Sequence, residues 1–194
     1  VSELAGTPNA IDRSRWPKGP WDREPDRVDW KTAAGLPAIA LRHTSGHWCG
    51  YVAVPPGHAF YPGGPHAAGE SLTLEGLHGE CTYADRCTGR VCHVPEPGEP
   101  DDVFWYGFDY AHHMDAAPGS DDPEHGFSVW PDDSGTCLWG PRARECAGKV
   151  KGVYRTLDYV RADMEKAAAA LQSPPPAIPN LYNAPCPYPL EPKP

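Results

Sequence analysis

The stretch VYRTLDYVRADMEKAAAALQ, Val153 to Gln172, decides the fold class, because it is the one long segment with a strong helical period. Tyr154, Leu157, Val160, Met164, Ala168 and Leu171 recur at i, i+3 and i+4 and form one stripe with the charges opposite. A stripe of that width needs a partner surface, and the rest of the chain offers strands. LPAIALRH (Leu36 to His43) and HWCGYVAVP (His47 to Pro55) are short apolar runs separated by TSG, the pattern of a hairpin with a glycine-containing turn. DDVFWYGFDYA (Asp101 to Ala111) reads as the clearest strand, and SLTLEGLHGECTYA (Ser71 to Ala84) holds one or two more. FSVWPDDSGTCLWG adds a short edge strand to this expectation. One helix lying across a mostly antiparallel sheet gives an α+β domain rich in loops.

Outward from that core, residues 36–172 form the single α+β domain. Residues 1–35 space Trp16, Trp21 and Trp30 among charges and read as an irregular arm packed on it, since three such apolar surfaces rarely float free. Residues 173–194 carry nine prolines, which sustain neither a helix nor an interior strand, so this tail is expected to be disordered. The 194 residues include 25 prolines and 20 glycines, an excess that points to many turns. A net charge of -9 lacks the basic stripe that neutralises a phosphate backbone, which excludes nucleic acid as the expected partner. No apolar run approaches the ~20 residues of a membrane span. The first residues have neither a basic n-region nor an apolar h-region, so the expected location is the cytoplasm of a bacterial host. Seven cysteines, an odd number, fit reduced thiols in that compartment.

The candidate chemistry follows the clearest strand. GFDYAHHMD, Gly107 to Asp115, gathers Asp109, His112, His113 and Asp115, oxygen and imidazole donors that suit zinc, manganese or non-haem iron. Two geometries compete. An extended chain places Asp109, His113 and Asp115 on one face, whereas a helical turn after Phe108 places Asp109 beside His112.

The blocks GPWDREPDRVDW, CGYVAVPPGH, LHGECTYADRC, VCHVPEPGEPDDVFWYGFDYAHHMD and YRTLDYVRADME, in this order, resemble a family of small proteins encoded by actinobacterial phages and prophages. The resemblance spans most of Gly19 to Leu171 and implies a phage or prophage accessory protein with an intact domain there. It implies no reaction. The family pattern is similar to HGGLT over His78 to Thr82 and to FDCAH over Phe108 to His112, so this chain departs from it at Glu80 and Tyr110. The second pattern favours His112. With it, the expected metal set is His78, Asp109 and His112, because LHGE closes a neighbouring strand and Gly79 permits close backbone approach.

Two functional expectations result, from different classes. One is a pocket for a small molecule or a divalent metal, zinc or manganese, lined by Trp105, Tyr106, Phe108 and Tyr110, in a protein that sequesters or acts on a host molecule. The other is a metal-dependent hydrolase in which Asp115 or Glu80 activates a water. A structural, oligomer-forming role is a third. His58, in the loop VPPGHAFYPGGPH, is a further acid/base candidate, because an imidazole titrates near neutrality. Cys81, Cys87, Cys92 and His93 supply soft donors for a structural zinc, although they lack the paired C-x₂₋₄-C spacing; core cysteines or a local disulfide compete with that reading.

Overall fold

The computed structural model describes residues 11–64, 66–68, 72–112, 115–119 and 153–173. Within them five strands run β1 (Arg27–Lys31), β2 (Pro37–Arg42), β3 (Trp48–Val54), β4 (Cys81–Arg86) and β5 (Phe104–Asp109), followed by helix α1 (Leu157–Gln172). The strands make one sheet in the order β1-β2-β3-β5-β4, every neighbour antiparallel. Helix α1 crosses β3 and β2. The α+β class with an antiparallel sheet is therefore the observed one. No helix among the described residues is long and apolar enough to cross a membrane.

The period of two sorts side chains between the faces. Trp48, Val52 and Val54 of β3 join Tyr106 and Phe108 of β5 under the helix, where Val160, Met164, Ala167, Ala168 and Leu171 meet them. Ile39, Leu41, Ala53, Val103 and Trp105 form a second cluster on the opposite face, with Tyr51 and Tyr83 packed on it. The β2–β3 hairpin turns through Thr44 to Gly46, closed by Gly46 N–H donating to His43 O at 2.8 Å and His43 N–H to His47 O at 2.9 Å. Gly46 has φ +96°, a conformation that suits glycine. Thr156 starts α1 by accepting the Tyr159 N–H on its hydroxyl at 3.3 Å, an ordinary N-cap.

Two expectations change. The sheet begins at Arg27, inside the segment read as an irregular arm, because Val28 and Trp30 alternate with Arg27, Asp29 and Lys31 in a strand pattern that the charges mask. Arg27 and Asp29 pair at 2.5 Å, which lets both charges share one face. Strand β4 starts at Cys81, later than the expected run from Ser71, because the residues around Gly76 and Gly79 form turns. The edge strand expected at FSVWPDDSGTCLWG and the Pro-rich tail lie outside the described residues.

The arm is anchored by an ion pair between the buried Arg42 and the half-buried Glu24. Arg42 is 1% exposed and donates to Glu24 Oε2 at 2.7 Å, to Gly46 O at 2.8 Å and to the Tyr154 hydroxyl at 2.7 Å, with its guanidinium 4.1 Å from the Trp48 ring centroid. Glu24 also accepts from Tyr154 OH, from Trp48 Nε1 at 3.3 Å and from the Leu157 N–H at 2.9 Å. One carboxylate thus joins the arm, the hairpin and the first turn of α1. Burial pushes the Glu24 carboxyl up, but hydrogen bonds from Tyr154, Leu157 and Arg42 outweigh it and hold the group below its ordinary value of 4.5. A depressed native pKa contributes stability that is complete above the unfolded value and fades as pH falls through the native one.

Two outcomes follow. Chemical denaturation of Glu24→Gln is expected to show a loss of about 1–3 kcal/mol at neutral pH and a shallower fall in stability below about pH 4.5 than the parent chain; parallel acid limbs would contradict the role of this carboxylate. A Cβ on Gly50 would lie 2.8 Å from Met164 Sδ and 3.1 Å from Val160 Cγ1. Gly50→Ala is therefore expected to cost about 1–3 kcal/mol by overpacking, whereas an unchanged midpoint would mean that α1 does not press on β3 at this point.

Candidate metal centre

The site lies where β5 ends. Tyr110 continues the strand by one residue, its N–H donating to Trp48 O at 3.1 Å, and the chain then turns so that Asp115 N–H reaches His112 O at 2.9 Å. The Asp115 carboxylate returns the contact, Oδ2 accepting the His112 N–H at 3.0 Å. A parallel bridge between Asp115 and Val153 fixes this turn against the residues that lead into α1. That bridge brings Arg155 to the site, and its Nε donates to Asp115 Oδ1 at 2.7 Å.

His78 arrives from the turns before β4. Its N–H donates to Asp163 Oδ2 at 3.0 Å, and its ring stacks on Tyr110 with centroids 5.4 Å apart and planes 6° from parallel. Nε2 faces Asp115 Oδ2 at 2.6 Å and Nδ1 faces the Tyr159 hydroxyl at 3.2 Å. An ionised carboxylate only accepts, so Nε2 carries the proton and Nδ1 receives the phenol's. His112 stands edge-on to His78, with Nδ1 3.7 Å from Asp115 Oδ2. This Nδ1 is shielded from solvent and has no hydrogen-bond partner. Gly79 makes room for the ring: a Cβ there would sit 2.6 Å from His112 Nε2.

The electrostatics keep the central carboxylate charged. The Asp115 side chain is 1% exposed. Burial raises its pKa, but the hydrogen bonds from His78, Arg155 and the His112 N–H more than compensate, so it titrates below its ordinary value. Asp163, on the inner face of α1, is 2% exposed and takes the Tyr110 hydroxyl at 3.0 Å in addition to the His78 N–H, while Lys166 Nζ approaches its other oxygen at 3.3 Å. The Tyr110 phenol is pushed far up by burial and then by the Asp163 charge, so it remains a donor. One ligand atom each from His78, His112 and Asp115 lies within 4.8 Å of the other two.

Of the expected metal set, His78 and His112 come together and Asp109 does not join them. The chain stays extended to Tyr110 and bends there and at His112, so no helical turn places Asp109 beside His112. Asp109 is the last residue of β5 and pairs in register with Cys49 on the face away from α1, whereas Tyr110 points under the helix. There Asp109 groups with His47 and Cys49. Asp115, expected to activate a water, takes the third donor position instead. His113 lies outside the described residues.

The other candidates have structural surroundings. Trp105 and Tyr106 are fully buried on opposite faces of the sheet, so they do not line one pocket with Tyr110. The Tyr106 hydroxyl donates to Phe60 O at 2.5 Å. His58 Nδ1 accepts the Phe60 N–H at 3.3 Å, and burial lowers its pKa, which marks a neutral loop-closing side chain. A shallow depression lined by Leu36, Pro55, His93, Pro100 and Val103 contains none of the cluster residues. The four soft donors are also dispersed: Cys87 and Cys92 form a disulfide, Cys81 is buried with its thiol on Tyr83 O at 3.1 Å, and His93 packs edge-on to Trp105. A disulfide removes two thiolates, so the four residues do not form a zinc site, and the local disulfide is the one of the competing readings that holds for Cys87 and Cys92. Cys137 and Cys146 lie outside the described residues.

Sequence reasoning missed Arg155, Tyr159 and Asp163. Arg155 and Tyr159 are i, i+4 neighbours before and on α1, and Asp163 falls three residues after Val160 on the apolar stripe, a charge in an inward position that is itself a signal. Comparison of the chain with family models, curated proteins and solved structures finds no match.

Tyr110 thus acts by holding Asp163. Tyr110→Phe is expected to lower stability by about 1–3 kcal/mol in denaturant titration, because it removes a hydrogen bond to a buried charge. A variant as stable as the parent would show that Asp163 finds its partners elsewhere.

Proposed function

We propose that this chain is a small divalent-metal-binding protein whose ion is held by His78, His112 and Asp115, and that it serves as the phage or prophage accessory protein its sequence blocks resemble. The observation that carries the reading is the convergence of one ligand atom from each of three residues within 4.8 Å, in a cluster where His112 Nδ1 is shielded and has no hydrogen-bond partner. Two imidazoles and a carboxylate select zinc or manganese over thiolate-seeking ions. The supporting contacts are those a metal site uses: the Tyr159 hydroxyl stands at His78 Nδ1, ready to accept its proton when Nε2 turns to an ion, and Arg155 holds the second carboxylate oxygen. When the ion enters, the His78 proton moves from Nε2 to Nδ1, where the Tyr159 hydroxyl turns to accept it, so the neutral imidazole changes tautomer and frees Nε2 with no net loss of a proton.

Three protein donors leave a coordination position open for a small-molecule ligand or a water. The side chain of His112 is 37% exposed, so solvent reaches this edge of the cluster. A hydrolase is the weaker reading, because Asp115, one of its two expected bases, is taken up as a donor in this proposal and Glu80, the other, is an exposed side chain.

The test is a titration of untagged protein with Mn²⁺ followed by electron paramagnetic resonance. Wild type is expected to bind about one equivalent. His112→Ala is expected to weaken binding by roughly 100-fold or more with little change in thermal stability, since loss of a ligand costs at least as much as loss of a supporting contact. Gly79→Ala, which displaces the His112 ring, should also weaken binding. No binding by the wild type, or equal affinity in His112→Ala, would refute the proposal.

A further inference from the structure

On the opposite face of the sheet a second group of donors has different chemistry. Cys49 and Asp109 are cross-strand partners of β3 and β5 and share the face away from α1. His47, one residue before β3, brings Nε2 to 3.2 Å from Asp109 Oδ1. The contact is not aligned as a hydrogen bond, and Oδ1 is shielded from solvent without a partner. The ligand atoms of His47, Cys49 and Asp109 all lie within 4.8 Å of one another.

We infer that His47, Cys49 and Asp109 form a second metal site, independent of the first, that takes a borderline ion of the zinc class through one nitrogen, one sulfur and one oxygen. Two ligands about 2.1 Å from a tetrahedral ion stand about 3.4 Å apart, so the His47–Asp109 spacing accommodates an ion with little movement. The His47 ring is held for that role from behind. Ser45 Oγ lies 2.8 Å from His47 Nδ1 and 2.8 Å from His43 Nδ1, and the two imidazoles stack with centroids 4.6 Å apart. A hydroxyl on Nδ1 leaves Nε2 to face the ion, the usual division of labour at a metal-bound histidine. Cys49 is not in a disulfide. On binding, the thiol proton leaves and the sulfur–metal bond forms, with no change in oxidation state. The side chain of Asp109 is 38% exposed, so the fourth position opens to solvent and a water or small ligand completes it.

Sulfur makes the two sites spectroscopically separable. Anaerobic titration of the full chain with Co²⁺ is expected to produce a near-ultraviolet thiolate-to-cobalt charge-transfer band, saturating at about one equivalent, because among the described residues this is the donor cluster that contains a thiol. Cys49→Ser should abolish the band, and Asp109→Asn, at a partly exposed position that does not threaten folding, should weaken it by roughly tenfold or more. His112→Ala, which disables the nitrogen and oxygen cluster, should leave the band in place, so failure of one site is distinguishable from failure of the other. Absence of the band in the wild type, or its persistence unchanged in either Cys49→Ser or Asp109→Asn, overturns the inference.

Discussion

Asp163 carries a carboxylate into the face of α1 that meets the sheet, where it is 2% exposed. An unpaired charge in that position would cost on the order of several kcal/mol, so the fold must bring donors to it. It does so from two separate segments: the Tyr110 hydroxyl at the end of β5 and the His78 N–H before β4. Satisfying this one buried group therefore sets both the depth of the helix and the position of His78. The stacking of His78 on Tyr110 is a consequence of their sharing one acceptor, and the His78 ring is left with its Nε2 aimed at Asp115.

The same device recurs at the other end of the interface. Arg42, buried, and Glu24, half-buried, form a pair that gains little from Coulomb attraction after desolvation and matters because of what it connects. Its partners come from the arm, from the β2–β3 hairpin and from Tyr154 and Leu157 at the entrance to α1. The two carboxylates thus fix α1 at its start and along its inner face, while Gly50 lets the helix approach the sheet closely between them. Arg155 and Tyr159, on either side of the helix start, thereby reach Asp115 and His78.

Periodicity made the fold class legible. The stripe of α1 and the alternation in β2, β3 and β5 are local patterns, and local patterns survive in a sequence. Strand β1 was hidden because its outward positions are charged, so Arg27, Asp29 and Lys31 read as an arm until their pairing is seen. The candidate site was half legible. His78, His112 and Asp115 were all singled out from residue type, but which of them meet depends on where β5 ends and how the chain turns after Tyr110, a tertiary outcome. Asp109 was misassigned for that reason: one residue decides the face of a strand, and its partner Cys49 is set by a register that spacing alone does not reveal. The disulfide between Cys87 and Cys92 was one of the readings open for those cysteines, and only the turn geometry selects it.

Two donor clusters lie on the two faces of one sheet, and the nitrogen and oxygen cluster is the one from which the proposed function follows. The most direct measurement is anomalous diffraction from crystals of the full chain grown with zinc. A peak about 2.0–2.2 Å from His78 Nε2, His112 and Asp115 Oδ2, with Arg155 still on the other carboxylate oxygen, is the result the account requires. Crystals that show no anomalous peak there, with His78 remaining bonded to Asp115 at saturating zinc, would contradict it.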